Sequence, residues 1–271
     1  MNSVIDEAVS RLAPLCGEHC KIGLILGSGL GGYAERISNI RTLNYAEIPG
    51  FPQSHVPGHK GRFVIGELFN KTVICMQGRF HYYEGYPQSE IALSVRVMKR
   101  LGVEKLLITN ACGGVNLAFQ PGDLMLISDH INFSGSNPLI GPNDDSFGTR
   151  FPDQGNVYNK ELRALVRVVA QEEGIQLREG VYMMFSGPCF ESPAEIVMAR
   201  TVGASAVGMS TVPEAIAAHH AGIKTIGISL VTNMAAGILE QTLTHEEVQQ
   251  AADAASEKFT KLVDRIIRDV F

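Results

Sequence analysis

Short apolar runs recur along the chain, each closed by glycine, proline, asparagine or a charge. They cover residues 22–26, 62–68, 72–77, 105–109, 124–128, 181–185, 206–209 and 223–231. Several are apolar at successive rather than alternate positions, the pattern of strands covered on both faces. Between them, apolar residues return at helical spacing over 89–101, 160–173, 193–201 and 213–220. Alternation of this kind predicts an α/β fold. No linker composition, low-complexity tract or internal repeat interrupts it, so residues 1–271 are read as one domain.

Chemistry marks the helix starts. Ser192-Pro193-Ala194-Glu195 and Thr211-Val212-Pro213-Glu214 each carry a hydroxyl, an early proline and a glutamate at capping-box spacing. Thr244-His245-Glu246-Glu247 opens the last helix, which gathers Val248, Ala252, Ala255, Phe259, Leu262, Ile266 and Val270 on one stripe. His245, at its start, is the one residue of that helix placed to face a site at the sheet ends. The segment 134–156, rich in Gly, Pro, Asn and Asp, has no periodicity, and loops of such length are usually functional or mobile.

With 271 residues, 45% hydrophobic and 19% charged, the chain has the composition of an ordinary globular protein. Its net charge of −5 gives no general attraction for nucleic acid or for a membrane surface, so any bound anion must be held by local donors. The longest uncharged runs, 106–122 and 225–239, are too short and too broken by Asn, Gly or Pro to span a bilayer. Five irregularly spaced cysteines and a start without a basic leader predict the reducing cytoplasm. Cys16-Gly17-Glu18-His19-Cys20 has the look of half a zinc site, yet no second ligand pair follows, so an irregular helix end is the better reading and no metal is expected.

Gly27-Ser28-Gly29-Leu30-Gly31-Gly32 follows the first apolar run directly. Glycines let backbone N–H groups converge on an anion, helped by the start of a following helix. Three readings are open: the G-x-G-x-x-G dinucleotide fingerprint formed by Gly27, Gly29 and Gly32, a site for free or esterified phosphate, and a turn that binds nothing. A dinucleotide fold wants an acid ending a second strand about 20 residues on. Glu47 has that spacing, but Ile48-Pro49-Gly50-Phe51-Pro52 follows it and no continuous apolar strand precedes it. The loop also lacks the Gly-Lys-Ser/Thr ending of a triphosphate P-loop.

The other unusual residues sit where strands end, where open α/β sheets build their sites. Gln77 to Tyr86 supplies Arg79, His81 and three tyrosines, and arginine is well shaped for bidentate phosphate contact. Thr109-Asn110-Ala111-Cys112-Gly113-Gly114 is a second glycine turn that can present N–H groups. Phe190 beside Glu191 pairs a stacking face with a carboxylate, as a flat heterocycle requires. Gly208-Met209-Ser210-Thr211 and Thr232-Asn233 add small polar groups, and Asn233 offers a donor and an acceptor. No activated nucleophile or metal cluster is evident, so catalysis would come from positioning and electrostatics around a bound anion.

Taken together, the glycine loop, Pro57-Gly58-His59, Gln77 to Gly85, Thr109-Asn110-Ala111, Gly187 to Glu191, Gly208 to Glu214 and Thr232-Asn233 resemble, in order, the motifs of the trimeric purine nucleoside phosphorylases, from about Gly23 to Glu247. The resemblance implies a mixed central β-sheet flanked by α-helices. It also implies reversible conversion of a purine nucleoside and orthophosphate into free base and ribose 1-phosphate, as in purine salvage, without a cofactor and by a homotrimer. Ser28, Arg79, His81, the Ala111 backbone and Ser210 would bind phosphate, with His59 closing over it from a mobile loop. Tyr83, Met209 and His245 would hold the ribose, His245 at the 5′-hydroxyl, and Phe151 would reach into the neighbouring subunit's ribose site. Phe190 would stack on the purine, which Met209 also borders, Glu191 would accept from N1–H, and Asn233 would contact N7 and O6. Asn233, Glu191, His81 and His245 are then the catalytic set.

Two positions bear on substrate choice. Asn rather than Asp at 233 implies 6-oxopurines, since an acid there would suit the adenine of the related methylthioadenosine phosphorylases. An imidazole at His245 fits a free 5′-hydroxyl. Cys112 departs slightly from the family pattern, in which a second alanine is common.

Overall fold

The eight expected apolar runs become strands and are joined by one that the pattern does not foretell, β2, so the described residues form a nine-stranded mixed sheet in the order β2-β3-β4-β1-β5-β8-β7-β6-β9. The computed structural model describes residues 2–17, 20–56, 58–239 and 245–271, the side chains of 245–247 excepted. In chain order the elements are α1 (Asn2–Cys16), β1 (Ile22–Leu26), β2 (Ser38–Asn44), β3 (Arg62–Leu68), β4 (Lys71–Gln77), α2 (Gln88–Ile91), α3 (Leu93–Arg100), β5 (Lys105–Gly114), β6 (Leu124–Asn132), α4 (Lys160–Glu172), β7 (Leu177–Met184), α5 (Pro193–Thr201), β8 (Ala206–Gly208), α6 (Val212–His220), β9 (Lys224–Met234) and α7 (His245–Arg265).

β1 is buried along its whole length because it lies between β4 and β5, parallel to both. β9 runs parallel to β5 on the other side. The carboxyl ends of β4, β1, β5 and β9 therefore share one edge, which is where a ligand site is expected. β3 returns to β4 through Phe69 and Asn70, both at positive φ (51° and 60°), as a two-residue hairpin of right-handed strands requires.

The sheet also closes on itself, which the alternation of strands and helices does not foretell. β9 pairs with β6 as well as with β5, so β5, β8, β7, β6 and β9 form a ring, with β1, β4, β3 and β2 extending from it. β5 makes the closure by changing partners. It pairs with β1 through Ile108 and with β8 only from Gly113, with a register shift on the β9 side between Cys112 and Gly113. Between those points neither β1 nor β8 covers the edge of β5 at Asn110, Ala111 and Cys112, which leaves backbone groups there for a ligand.

One apolar core packs α1, α3 and α6 on one face, with Leu12, Val95, Met98, Ala215 and Ile216 buried. The other packs α4 and α7, with Val166, Phe259, Leu262 and Ile266 buried. α7 and the π-helical turn Ile266–Val270 that continues it dock along the expected stripe from Ala252 to Val270, but Val248 turns away from the core to line a cavity. Ser192 caps α5 in the expected box with Glu195. Edge strand β2 has no apolar run in the sequence, because all of it except Leu43 is exposed. Among the described residues, no helix is long and apolar enough to cross a membrane.

Candidate active site

At the shared strand edge lies a cavity of about 560 Å³, a size suited to a small ligand. Its lining divides by chemistry. Gly27, Ser28, Arg79, His81, Asn110, Ala111 and Ser210 are polar or present backbone, whereas Phe190, Glu191, Val207, Met209 and Asn233 suit a flat heterocycle.

Gly27 lies flat on the open edge of β5. A Cβ there would meet Thr109 O at 2.7 Å and Asn110 Cα at 2.8 Å, and Gly27 N donates to Thr109 Oγ1 at 3.2 Å. Gly29, at φ +74°, would bring a Cβ within 2.5 Å of Ala252 Cβ. Gly32 has nothing within 4 Å, although the dinucleotide fingerprint needs its third glycine for close helix packing. Nor does an α-helix follow the loop. Residues Gly31–Arg36 form a 3-10 turn, so no helix start assists the loop as the sequence suggests. Glu47 is spent on its own turn, accepting from Asn44 N at 2.9 Å. The dinucleotide reading fails on each count.

Arg79 is the buried cation of the cavity. Its Nη1 donates to Ser210 Oγ at 3.0 Å and to Thr211 Oγ1 at 3.1 Å. Its Nε lies 3.2 Å from Glu214 Oε1, with side-chain exposures of 1% and 2%. The sequence therefore misreads Thr211 and Glu214. Thr211 makes no side-chain cap on α6 and sits at φ +75°, and its hydroxyl and the Glu214 carboxylate hold Arg79 instead of the helix end.

Two histidines stand beside it. His59 reaches Ser28 Oγ with Nε2 at 3.3 Å, while its Nδ1 lies 3.2 Å from the Arg79 N–H. Gly78, at φ +101°, permits this approach, since a Cβ would fall 2.7 Å from His59 Cβ. His81 stacks on Tyr83, with ring centres 4.8 Å apart. Its Nδ1 is 3.1 Å from Glu84 Oε1, which makes that nitrogen the donor and Nε2 the acceptor of the neutral ring. Burial, then His81, brings His59 down to about 4. Burial also lowers His81, against the pull of Glu84. Burial pushes Glu84 up, but hydrogen bonds from His81 and from the His55 N–H outweigh it and hold the carboxyl below its usual value. Glu84 is a member of this cluster that sequence reasoning missed, although its i,i+3 spacing from His81 was the available signal.

In the heterocycle set, Glu191 is buried and Phe190 is 47% exposed. Burial, with Glu195 nearby, pushes the Glu191 carboxyl up. Asn233 Oδ1 accepts from Thr232 Oγ1 at 3.0 Å and Nδ2 donates to Met234 O at 3.1 Å, so its amide orientation is fixed. Gly187, at φ +69°, allows Met209 and Tyr83 to close together, as a Cβ there would meet Met209 Sδ at 2.6 Å and Tyr83 Cδ1 at 3.0 Å.

The family model of the phosphorylase superfamily matches residues 21–268. Purine nucleoside phosphorylase 1 of Geobacillus stearothermophilus is 53% identical over 99% of this chain and 98% of its own length. The bovine (Bos taurus) purine nucleoside phosphorylase is 46% identical, covering 92% and 89%. The chain belongs to the purine nucleoside phosphorylase family. The Schistosoma mansoni purine nucleoside phosphorylase solved in complex with inosine superposes with a TM-score of 0.93, at 39% identity over 99% of this chain and 97% of the other.

In this family member the cavity gathers Ser28, Arg79, His81, Tyr83, Ala111, Phe190, Glu191, Met209, Ser210 and Asn233 as the sequence expects. His59 joins through Ser28. Thr232, named with Asn233 in the sequence, also lines it, and so does Val248, which the sequence places only on the docking stripe of the last helix. The side chain of His245 and residue Pro57 lie outside the described residues. Phe151 is no part of the cavity of its own chain. It is 88% exposed beneath the Arg150 guanidinium, 5.5 Å from ring centre to Cζ. The loop that carries it is held on both sides: His220 Nε2 donates to Thr149 O at 3.0 Å, and His219 Nε2 donates to Asp153 O at 2.7 Å.

Proposed function

We propose that the chain is a purine nucleoside phosphorylase that cleaves 6-oxopurine nucleosides such as inosine, guanosine and their deoxy forms, with orthophosphate as co-substrate and no cofactor. One observation carries the reading. A single cavity joins an anion set around Arg79 to a heterocycle set around Glu191 and Asn233, in a chain 53% identical to a purine nucleoside phosphorylase.

As the glycosidic bond lengthens, positive charge grows on the sugar and negative charge on the purine. A phosphate held by Ser28, Arg79, His81, the Ala111 N–H and Ser210 stabilises the first. Asn233 at N7 and O6, with Glu191 at N1–H, stabilises the second. Both interactions strengthen in the transition state, so they raise rate and not only affinity. A purine N–H beside Glu191 would restore the carboxylate that burial disfavours. The ribose falls to Tyr83, Met209 and His245, and to Phe151 of a neighbouring copy in a homotrimer. The exposure of that ring on a tethered loop supports this assignment. Free cysteines throughout fit the reducing cytoplasm.

The test is base release from inosine, guanosine, adenosine and methylthioadenosine, with and without phosphate. Phosphate-dependent turnover of the first two is expected. Phosphate-independent cleavage, or turnover of methylthioadenosine alone, overturns the reading. Asn233→Ala should lower kcat on the order of a hundredfold or more.

A further inference from the structure

Thr211 is fully buried and does not line the cavity, yet it is held at φ +75°. That conformation strains a β-branched residue and persists only where its surroundings fix it. Three polar groups surround its hydroxyl. Asn110 Nδ2 donates to Oγ1 at 2.8 Å, Arg79 Nη1 donates to it at 3.1 Å, and Ser210 Oγ lies 3.2 Å away.

A hydroxyl has two acceptor sites and one proton. Amide and guanidinium nitrogens can only donate, so they fill both acceptor sites of Thr211. Its proton is left with Ser210 Oγ. Ser210 Oγ also accepts from Arg79 Nη1 at 3.0 Å, and its own two acceptor sites are then filled. The Ser210 O–H has the Tyr182 hydroxyl beside it, whose oxygen also accepts from Ser210 N at 3.4 Å, and Ser210 lines the cavity, where a bound oxyanion is the stronger acceptor for that proton. Every link of the chain Asn110, Thr211, Ser210 thus points its proton the same way.

We infer that Thr211 is a positioning residue that fixes Ser210 as an obligate hydrogen-bond donor to a bound oxyanion. The inference rests on the reading of this cavity as the orthophosphate site. Thr211 never touches the anion. It removes from Ser210 the choice to accept, so Ser210 can only donate, and a bound oxyanion is the strongest acceptor in its reach. A ligand that presents an O–H or N–H donor at that point is rejected by the same arrangement.

The experiment is steady-state phosphorolysis of inosine with phosphate varied, for Thr211→Val, Thr211→Ser, Ser210→Ala and the double variant Ser210→Ala/Thr211→Val. Valine keeps the β-branch and deletes only the hydroxyl. Thr211→Val should raise the phosphate KM about tenfold while the inosine KM stays within about twofold. Thr211→Ser should restore the phosphate KM, and the double variant should be no worse than Ser210→Ala. An unchanged phosphate KM in Thr211→Val, equal rises in both KM values, a Thr211→Ser as impaired as Thr211→Val, or additive losses would each overturn the inference. Ser210→Ala separates the two levels: if it leaves the phosphate KM unchanged, the phosphate reading itself falls and takes this inference with it. Thermal melting accompanies each variant. If Thr211→Val does not fold, Thr211→Ala set against Thr211→Ser decides by the same criteria.

Discussion

Arg79 Nε lies 3.2 Å from Glu214 Oε1, and both side chains are withdrawn from solvent. Arg79 lines the cavity and Glu214 does not, so the carboxylate stands behind the guanidinium as its permanent counter-charge. Deleting one member of such a pair leaves a buried charge uncompensated, at a cost of about 3–5 kcal/mol. Glu214→Ala should lose stability of that order in urea unfolding. Saturating phosphate should recover more of it in the variant than in the parent, because the bound anion takes over the missing charge. A loss below about 1 kcal/mol, the level of an exposed pair, would show that Arg79 does not depend on Glu214.

The same pair explains where sequence reading stops. Thr211-Val212-Pro213-Glu214 has the spacing of a helix cap, and Ser192 to Glu195, with the same spacing, is one. The difference lies in which cation folds back against the motif. Arg79 comes from the end of β4, and one-dimensional spacing does not carry that contact. Strand β2 escaped for the opposite reason: an exposed edge strand has no burial to write into its residue pattern. Ring closure depends on β5 exchanging β1 for β8, a long-range event with no local signature. What was legible was legible for physical reasons. Strands β1 and β3 coincide with apolar runs because both are largely buried, and the site residues lie at strand ends because that is where the sheet leaves backbone groups free.

The histidines give the fold a pH dependence with a definite sign. Burial and His81 hold His59 at about 4 against an ordinary value of 6.5, and burial lowers His81 and His130 in the same direction. Between the lowered value and the ordinary one, the unfolded chain binds protons that the folded chain lacks. Stability is therefore full above the ordinary value and falls with pH below it, by about 1.4 kcal/mol per pH unit for each such group. Glu84, held below its ordinary 4.5, adds its own loss only beneath that value. Unfolding free energies at a series of pH values should be flat from about 7 to 8 and decline below, while burial of Cys75 and Cys112, which raises their thiols, makes stability fall again above about 9. His59→Gln should reduce the slope by about one proton, and an unchanged slope would mean that His59 titrates alike in both states.

The glycines of the first loop are not equivalent, and alanine separates them. Gly27→Ala would drive a Cβ into Thr109 O at 2.7 Å, a backbone atom that can move only by lifting the loop off β5. Its phosphate KM should rise tenfold or more, on the order of one lost charge-assisted hydrogen bond. Gly32→Ala meets nothing within 4 Å and should change stability by no more than about 1 kcal/mol, with phosphate KM unaltered. A dinucleotide-type loop would demand the third glycine. Equal damage from the two substitutions would therefore restore that reading.

Phe151 stands clear of the cavity of its own chain. A Cβ on Gly148 would lie 2.1 Å from His220 O, so the loop seats on the end of α6 only because residue 148 is glycine. Two residues to either side of Phe151, the carbonyls of Thr149 and Asp153 are held by His220 and His219. A ring 88% exposed on so fixed a base is what the proposed reach into a neighbouring copy requires. Gly148→Ala and Phe151→Ala should both raise the nucleoside KM and leave the phosphate KM unchanged. Subunit mixing gives the decisive measurement. Phe151→Ala subunits keep Asn233, and Asn233→Ala subunits keep Phe151, so co-refolded mixtures contain sites assembled from an intact half of each. Activity should return above that of either variant alone. A mixture no more active than its parents would mean that Phe151 completes no neighbour's site.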